Sequence, residues 1–136
     1  REQANERQHI HLRINSGDFT TLMDPNQLRQ ILDNLIRNAW RHSAQLHEQA
    51  EVWLALFVDP DSQLAVLEVQ DNGPGVSADE QAHLFEPFFT TSSQGTGLGL
   101  YLSRELCESN QARLDFNPRQ GGGCFRITFA HGRKQS

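Results

Sequence analysis

Apolar and polar residues alternate along this chain with two different periods, and the changes of period mark out its elements. In "HIHLRIN", residues 9–15, Ile10, Leu12 and Ile14 alternate with polar side chains. A period of two is that of a strand burying one face. "FTTLMD", residues 19–24, predicts a second short strand. At Asp24 the period lengthens. Leu28, Ile31, Leu32, Leu35, Ile36 and Ala39 recur every three or four residues, as on one face of a helix. Asp24 is expected to cap that helix and Pro25 to fill its first position, with the end near His42 or a little beyond. "EVWLALFVD" and "QLAVLEVQD" then predict two strands joined as a hairpin through "PDS".

Turn chemistry follows in "DNGPG", residues 71–75. "SADEQAHLF" reads as a short helix, because Ser77 and Glu80 stand at capping-box spacing. "EPFFTTSSQGTG" has no period and predicts a long loop. "LGLYLSRELCESN" predicts a helix, and "ARLDFNP" and "CFRITFA" predict strands separated by "RQGGG". Residues 1–8 read as a linker or the end of a preceding element, residues 9–130 as one domain, and residues 131–136 as a disordered tail. Helices interleaved with mostly antiparallel strands predict an α/β fold, a two-layer sandwich of a mixed sheet with helices on one face.

Composition narrows the classes. The 136 residues suit a single core, and a net charge of −5 argues against a dedicated nucleic-acid binder. Cys107 and Cys124 have no metal-binding spacing and read as buried thiols, which fits a reducing, cytoplasmic compartment. The longest apolar run, "VWLALFV", is too short to cross a bilayer, and no signal peptide is visible.

Four features carry candidate chemistry, and each has a plainer reading. Asn34, Asn38, Arg41 and His42 fall within roughly a 100° arc of the first long helix, beside its apolar stripe. They form a solvated face, or they line a cleft in which amide oxygens suit Mg²⁺ and Arg41 meets phosphate. Asp71 at the end of its strand is a turn residue, or an acceptor for an exocyclic amine, with Gly73 and Gly75 letting a flat ring approach the backbone. Phe85, Phe88 and Phe89 pin a loop to the core, or anchor a hinged lid. Gly95, Gly97 and Gly99 make a simple loop, or bring backbone amides close to phosphates at a helix start.

In this order, the Asn stripe, "DNGPG", "LFEPFFTT", "GTGLGL" and "GGGCF" resemble the catalytic ATP-binding domain of bacterial sensor histidine kinases, of the gyrase, Hsp90 and MutL superfamily. The resemblance spans about residues 9–130 and implies the Bergerat fold. Within that family, "NQARLDF" and "RELCE" look most like sensor kinases that control type IV pilus genes, with nitrogen-regulation sensors close behind. The resemblance assigns Asn38 to Mg²⁺, with Asn34 supporting it one turn earlier, and gives both a catalytic role. It places Arg41 where a phosphate-contacting lysine is usual and His42 near the ribose or base. Asp71 matches the residue that reads the adenine amino group, and Gly73 and Gly75 border its pocket. Phe85 to Thr91, with Phe88 and Thr90 among them, match the lid. Gly95, Thr96, Gly97, Leu98, Gly99 and Leu100 match the phosphate-binding turn.

Three positions depart from the pattern: Arg41 for lysine, Ser92-Ser93-Gln94 where many relatives carry a lid lysine, and the bulky Trp40. Hydrolases of the superfamily place a glutamate at position 34. A neutral amide cannot activate water as a general base, so Asn34 favours phosphoryl transfer. No histidine here stands in the family's acceptor pattern; "LHEQAEV" lacks the basic residue and proline that should follow His47-Glu48. The resemblance therefore implies ATP and Mg²⁺ as ligands and an acceptor histidine on a separate dimerisation domain. It also implies a response regulator downstream, and a parent protein anchored in the bacterial inner membrane. The domain alone is expected to be monomeric, without nucleic-acid or direct membrane contact. There is no P-loop, and "GTGLG" does not follow a strand as a dinucleotide fingerprint would.

Overall fold

Helix α1, Pro25–Ala44, starts where the sequence places it. Asp24 Oδ1 accepts from the amide of Asn26 at 2.9 Å, and Pro25 occupies the first turn. The computed structural model describes residues 8–15, 19–20, 23–90, 97–129 and 133–134. Its strands are β1 (Gln8–Asn15), β2 (Phe19–Thr20), β3 (Ala50–Val58), β4 (Ala65–Asp71), β5 (Arg113–Arg119), β6 (Gly122–Thr128) and β7 (Arg133–Lys134). Helix α2 is the single turn Ala78–Gln81, and α3 spans Gly99–Ser109.

Five strands form one sheet in the order β1-β3-β4-β6-β5. β1 runs parallel to β3, with Ile10 opposite Val52, and the other pairs are antiparallel. The mixed sheet with helices on one side is the α/β sandwich expected from the sequence. α1 and α3 pack on each other and on this sheet. Between the layers lie Ile31 and Leu35 of α1, Cys107 of α3, and Val52, Val69, Leu114, Phe125 and Ile127 of the sheet, all fully buried. Each large side chain withdrawn from water contributes about 1.5–3 kcal/mol. Strand alternation sends the neighbours of Val69 to the opposite face. There Glu68 accepts from Arg126 Nε at 2.9 Å, and Gln70 Oε1 accepts from Arg119 at 2.9 Å.

Several elements differ from their sequence-based bounds. "FTTLMD" does not continue as a strand through Asp24, because Met23 turns into the core and Asp24 turns to cap α1. "SADEQAHLF" gives only one helical turn. Its capping box forms, with Ser77 Oγ accepting from Glu80 N at 3.1 Å, but the chain then bends to bury Leu84. β6 begins at Gly122, not Cys124, because Gly122 and Gly123 pair with Arg119 and Pro118. Arg133 and Lys134, in the segment read as a disordered tail, pair antiparallel with Thr20 and Phe19.

Both thiols are buried, and burial pushes each up to about 12. Glu108 adds to the effect at Cys107 and Glu68 at Cys124. The unfolded chain loses these protons near the free-thiol value of about 8.5, and the folded chain only near 12. Between those values the unfolded state holds fewer protons, so stability falls as pH rises. Native protein at pH 8 is expected to resist a thiol-specific chromogenic reagent that labels both cysteines in urea. Rapid native labelling of either would contradict its burial.

Candidate functional site

The polar stripe of α1 is not a solvated face. Asn38 is only 8 % exposed, and Asn34, Arg41 and His42 are half-buried. Asn34 Nδ2 donates to Ser103 Oγ at 3.2 Å and approaches the Gly99 carbonyl at 3.5 Å, both on α3. Arg41 reaches back one turn to Asn38 Oδ1 at 3.4 Å. Asn38 Nδ2 is buried with no partner among the described residues.

β4 ends at Asp71, which is 1 % exposed. Its Oδ1 accepts from the Gly73 amide at 2.8 Å, so one oxygen serves the turn. The other, Oδ2, is buried without a hydrogen-bond partner among the described residues. His42 Nδ1 stands 3.8 Å away, beyond hydrogen-bond reach. Withholding an acceptor from both water and protein donors is costly. A ligand amine would relieve that cost.

The two glycines of the turn serve different needs. A side chain on Gly73 would strike the His42 backbone carbonyl, so α1 lies directly on the turn. A Cβ on Gly75 would make only an ordinary contact, 3.7 Å from the Gly122 carbonyl, but its φ of +85° is one that an L side chain resists. β6 closes on the same carboxylate: a Cβ on Gly123 would strike the Phe116 ring at 2.8 Å and lie 3.5 Å from Asp71 Oδ2.

The described part of the loop after α2 is anchored unevenly. Phe85 meets Phe125 edge-on at 6.1 Å and lies under the Arg104 guanidinium at 4.7 Å. Phe89 packs against the core, whereas Phe88 is 73 % exposed with φ +70°. The Phe88 amide donates to the Gly97 carbonyl at 2.7 Å, tying the two feet of the loop together. Thr90 is exposed. Thr91, Gly95 and Thr96 lie outside the described residues.

Gly97 (φ +78°) and Leu98 lead into α3. Leu98 stands at the N-cap and no side chain caps that turn. Gly99 and Leu100 begin the helix, and Leu100 packs against the core. An uncapped first turn keeps amides and the positive end of the helix dipole for an anion. Among the described residues no cluster of three His, Cys, Asp or Glu could hold a metal. A metal here would depend on side-chain amide oxygens and on ligand oxygens, which suits Mg²⁺ better than softer ions.

Two residues of this site escape a reading by motif. Ser43, fully buried, donates to Asn72 Oδ1 at 2.5 Å and accepts from the Glu51 amide at 3.0 Å, which fixes the turn. Ser103, also fully buried, accepts from Asn34 Nδ2. Each lies one helical turn from a core residue, Ala39 or Cys107. A hydroxyl on an apolar stripe was the available signal.

Residues 23–133 match the family described as "Histidine kinase-, DNA gyrase B-, and HSP90-like ATPase". The chain belongs to this family. The ATPase-family domain is 65% identical over 128 residues to the sensor protein kinase PilS of Pseudomonas aeruginosa, covering 93% of this chain and 24% of that protein. It is 36% identical over 124 residues to the sensor protein FixL of Bradyrhizobium diazoefficiens, covering 89% and 24%. It thus spans about a quarter of these relatives' length. Among solved structures, the catalytic domain of histidine kinase ThkA superposes with a TM-score of 0.77 at 25% identity, covering 91% of this chain and 79% of that one. Full-length ShkA in complex with AMPPNP gives a TM-score of 0.74 at 28% identity, covering 95% and 27%. The domain therefore has the Bergerat fold of histidine kinase catalytic domains. Among its described residues, no helix is long and apolar enough to cross a membrane.

Proposed function

We propose that this ATPase-family domain binds Mg-ATP between α1, the Asp71 turn and α3, and delivers the γ-phosphoryl group to a histidine on a separate dimerisation and phosphoacceptor domain. The observation that carries this reading is the buried Asp71 Oδ2, which has no hydrogen-bond partner among the described residues. It suits the amino group of adenine. His42 flanks the base or ribose, while Gly73 and Gly75 let the ring approach the turn. The amides from Gly95 to Leu100, Thr96 and the Arg41 guanidinium receive the phosphates, and Thr90 and Thr91 belong to the lid. Asn38, supported by Asn34, holds Mg²⁺, which when bound neutralises charge on the phosphate oxygens.

Asn34 and Asn38 are neutral amides and make no general base for water. The domain thus positions ATP and offsets developing charge, and the nucleophile comes from elsewhere. The similarity to PilS supports a role in two-component signalling that leads to a response regulator and type IV pilus genes. It also supports a cytoplasmic domain whose parent is anchored in the inner membrane. The domain acts as a monomer until joined to its acceptor.

Calorimetric titration with ADP and with a non-hydrolysable ATP analogue, each with and without Mg²⁺, tests the reading. Binding in the micromolar to high-micromolar range is expected. Asn38→Ala is expected to abolish the Mg²⁺-dependent gain in affinity. No heat with either nucleotide, confirmed by unshifted amide resonances, would refute the reading. Sustained phosphate release that Asn38→Ala abolishes would assign a hydrolase instead.

A further inference from the structure

Resting on the nucleotide reading above, we infer that Ser103 is a positioning residue that sets the orientation of the Asn34 amide and leaves its oxygen for the Mg-nucleotide. A side-chain amide has a donor end and an acceptor end, and only its neighbours decide which way it faces. The Gly99 carbonyl makes that choice here, and the Ser103 hydroxyl, which can donate or accept, holds the amide within its reach. The Gly99 carbonyl, 3.5 Å from Nδ2, can only accept. Ser103 Oγ, 3.2 Å from the same nitrogen, accepts from it. Reversing the amide would place Oδ1 against the Gly99 carbonyl, oxygen against oxygen. Nδ2 is therefore committed to α3, and Oδ1 has no hydrogen-bond partner among the described residues.

Ser103 can do this because its hydroxyl is withdrawn from solvent. It is fully buried, one turn after Gly99 and one turn before Cys107. The Ser103 end of the bond is closed to water, which helps the amide keep one orientation. The same contact ties the glycine turn at the start of α3 to the asparagine stripe of α1. A shift of that turn on binding phosphate would move Asn34 with it. Position 34 thus requires a donor toward α3 and an acceptor toward the ligand, which a carboxylate cannot supply.

The test combines side-chain amide NMR with calorimetry on the whole chain, using Mg-ADP as the probe. The Asn34 side-chain resonances are assigned by their loss in Asn34→Ala. In nucleotide-free protein, Ser103→Ala is expected to shift or broaden that pair, and Ser103→Thr, which keeps the hydroxyl, to preserve it. Ser103→Ala is expected to lower Mg-ADP affinity three- to tenfold, mostly in its Mg²⁺-dependent part, and Ser103→Thr to restore it. An unmoved Asn34 pair in folded Ser103→Ala overturns the inference, as does an equal loss with and without Mg²⁺. If Ser103→Ala does not fold, Ser103→Cys carries the same comparison at similar volume. Wild-type protein that binds no nucleotide refutes the nucleotide reading instead, and the nucleotide-free spectra still decide whether Ser103 orients Asn34.

Discussion

Asp71→Asn is expected to weaken adenine-nucleotide binding more than tenfold while the domain stays folded. The Gly73 amide needs an acceptor, and Asp71 Oδ1 supplies it at 2.8 Å. The asparagine would keep its oxygen there, because the alternative sets an amide donor against a backbone donor. Its nitrogen then replaces Oδ2, the buried atom without a hydrogen-bond partner among the described residues. The adenine amino group would meet a donor where it needs an acceptor. Tenfold corresponds to about 1.4 kcal/mol, well within the cost of a buried polar group left unpaired. Calorimetry with ADP, beside a thermal melt, measures both halves of the claim. Unchanged affinity in a folded variant would make Asp71 a turn residue only.

Gly73→Ala should destabilise the fold and weaken nucleotide binding together, whereas Gly75→Ala should do less of both. A Cβ at Gly73 strikes the carbonyl carbon and oxygen of His42, which are backbone and cannot rotate away. α1 and the Asp71 turn must move apart. Overpacking of this kind costs about 1–3 kcal/mol, and the movement carries Arg41 and His42 away from Asp71. At Gly75 the nearest atom to an added Cβ is 3.7 Å away, so only the φ of +85° resists. That backbone preference is worth about 1 kcal/mol. Urea melts and ADP titrations of the two variants give the comparison. Equal effects at both positions would mean that α1 does not bear on the turn.

Much of the fold was legible because local patterns and tertiary structure agree. The helix start at Asp24-Pro25, the capping box at Ser77 and the hairpin from β3 to β4 each depend on residues close in sequence. Where boundaries moved, a long-range contact overrode the local signal. Met23 and Leu84 turn inward to the core, and Gly122 and Gly123 join a strand because Arg119 and Pro118 lie opposite them. Pairing across a sheet leaves no trace in a window of neighbouring residues.

The sequence by itself determined the chemistry on offer: two asparagines one turn apart, an aspartate closing a strand, and glycines opening a helix, in an order that resembles one superfamily. Only the tertiary structure decided what each does in place. It made Gly73 a point of contact with α1 and Gly75 a backbone requirement, though both are glycines of one turn. It split the three phenylalanines of the loop, with Phe85 and Phe89 against the core and Phe88 outside. It also bound Asn34 to Ser103, 69 residues away in the chain. Side-chain identity is local. Burial and hydrogen-bond partnership depend on which distant elements meet, and those set whether a polar atom is satisfied or left for a ligand.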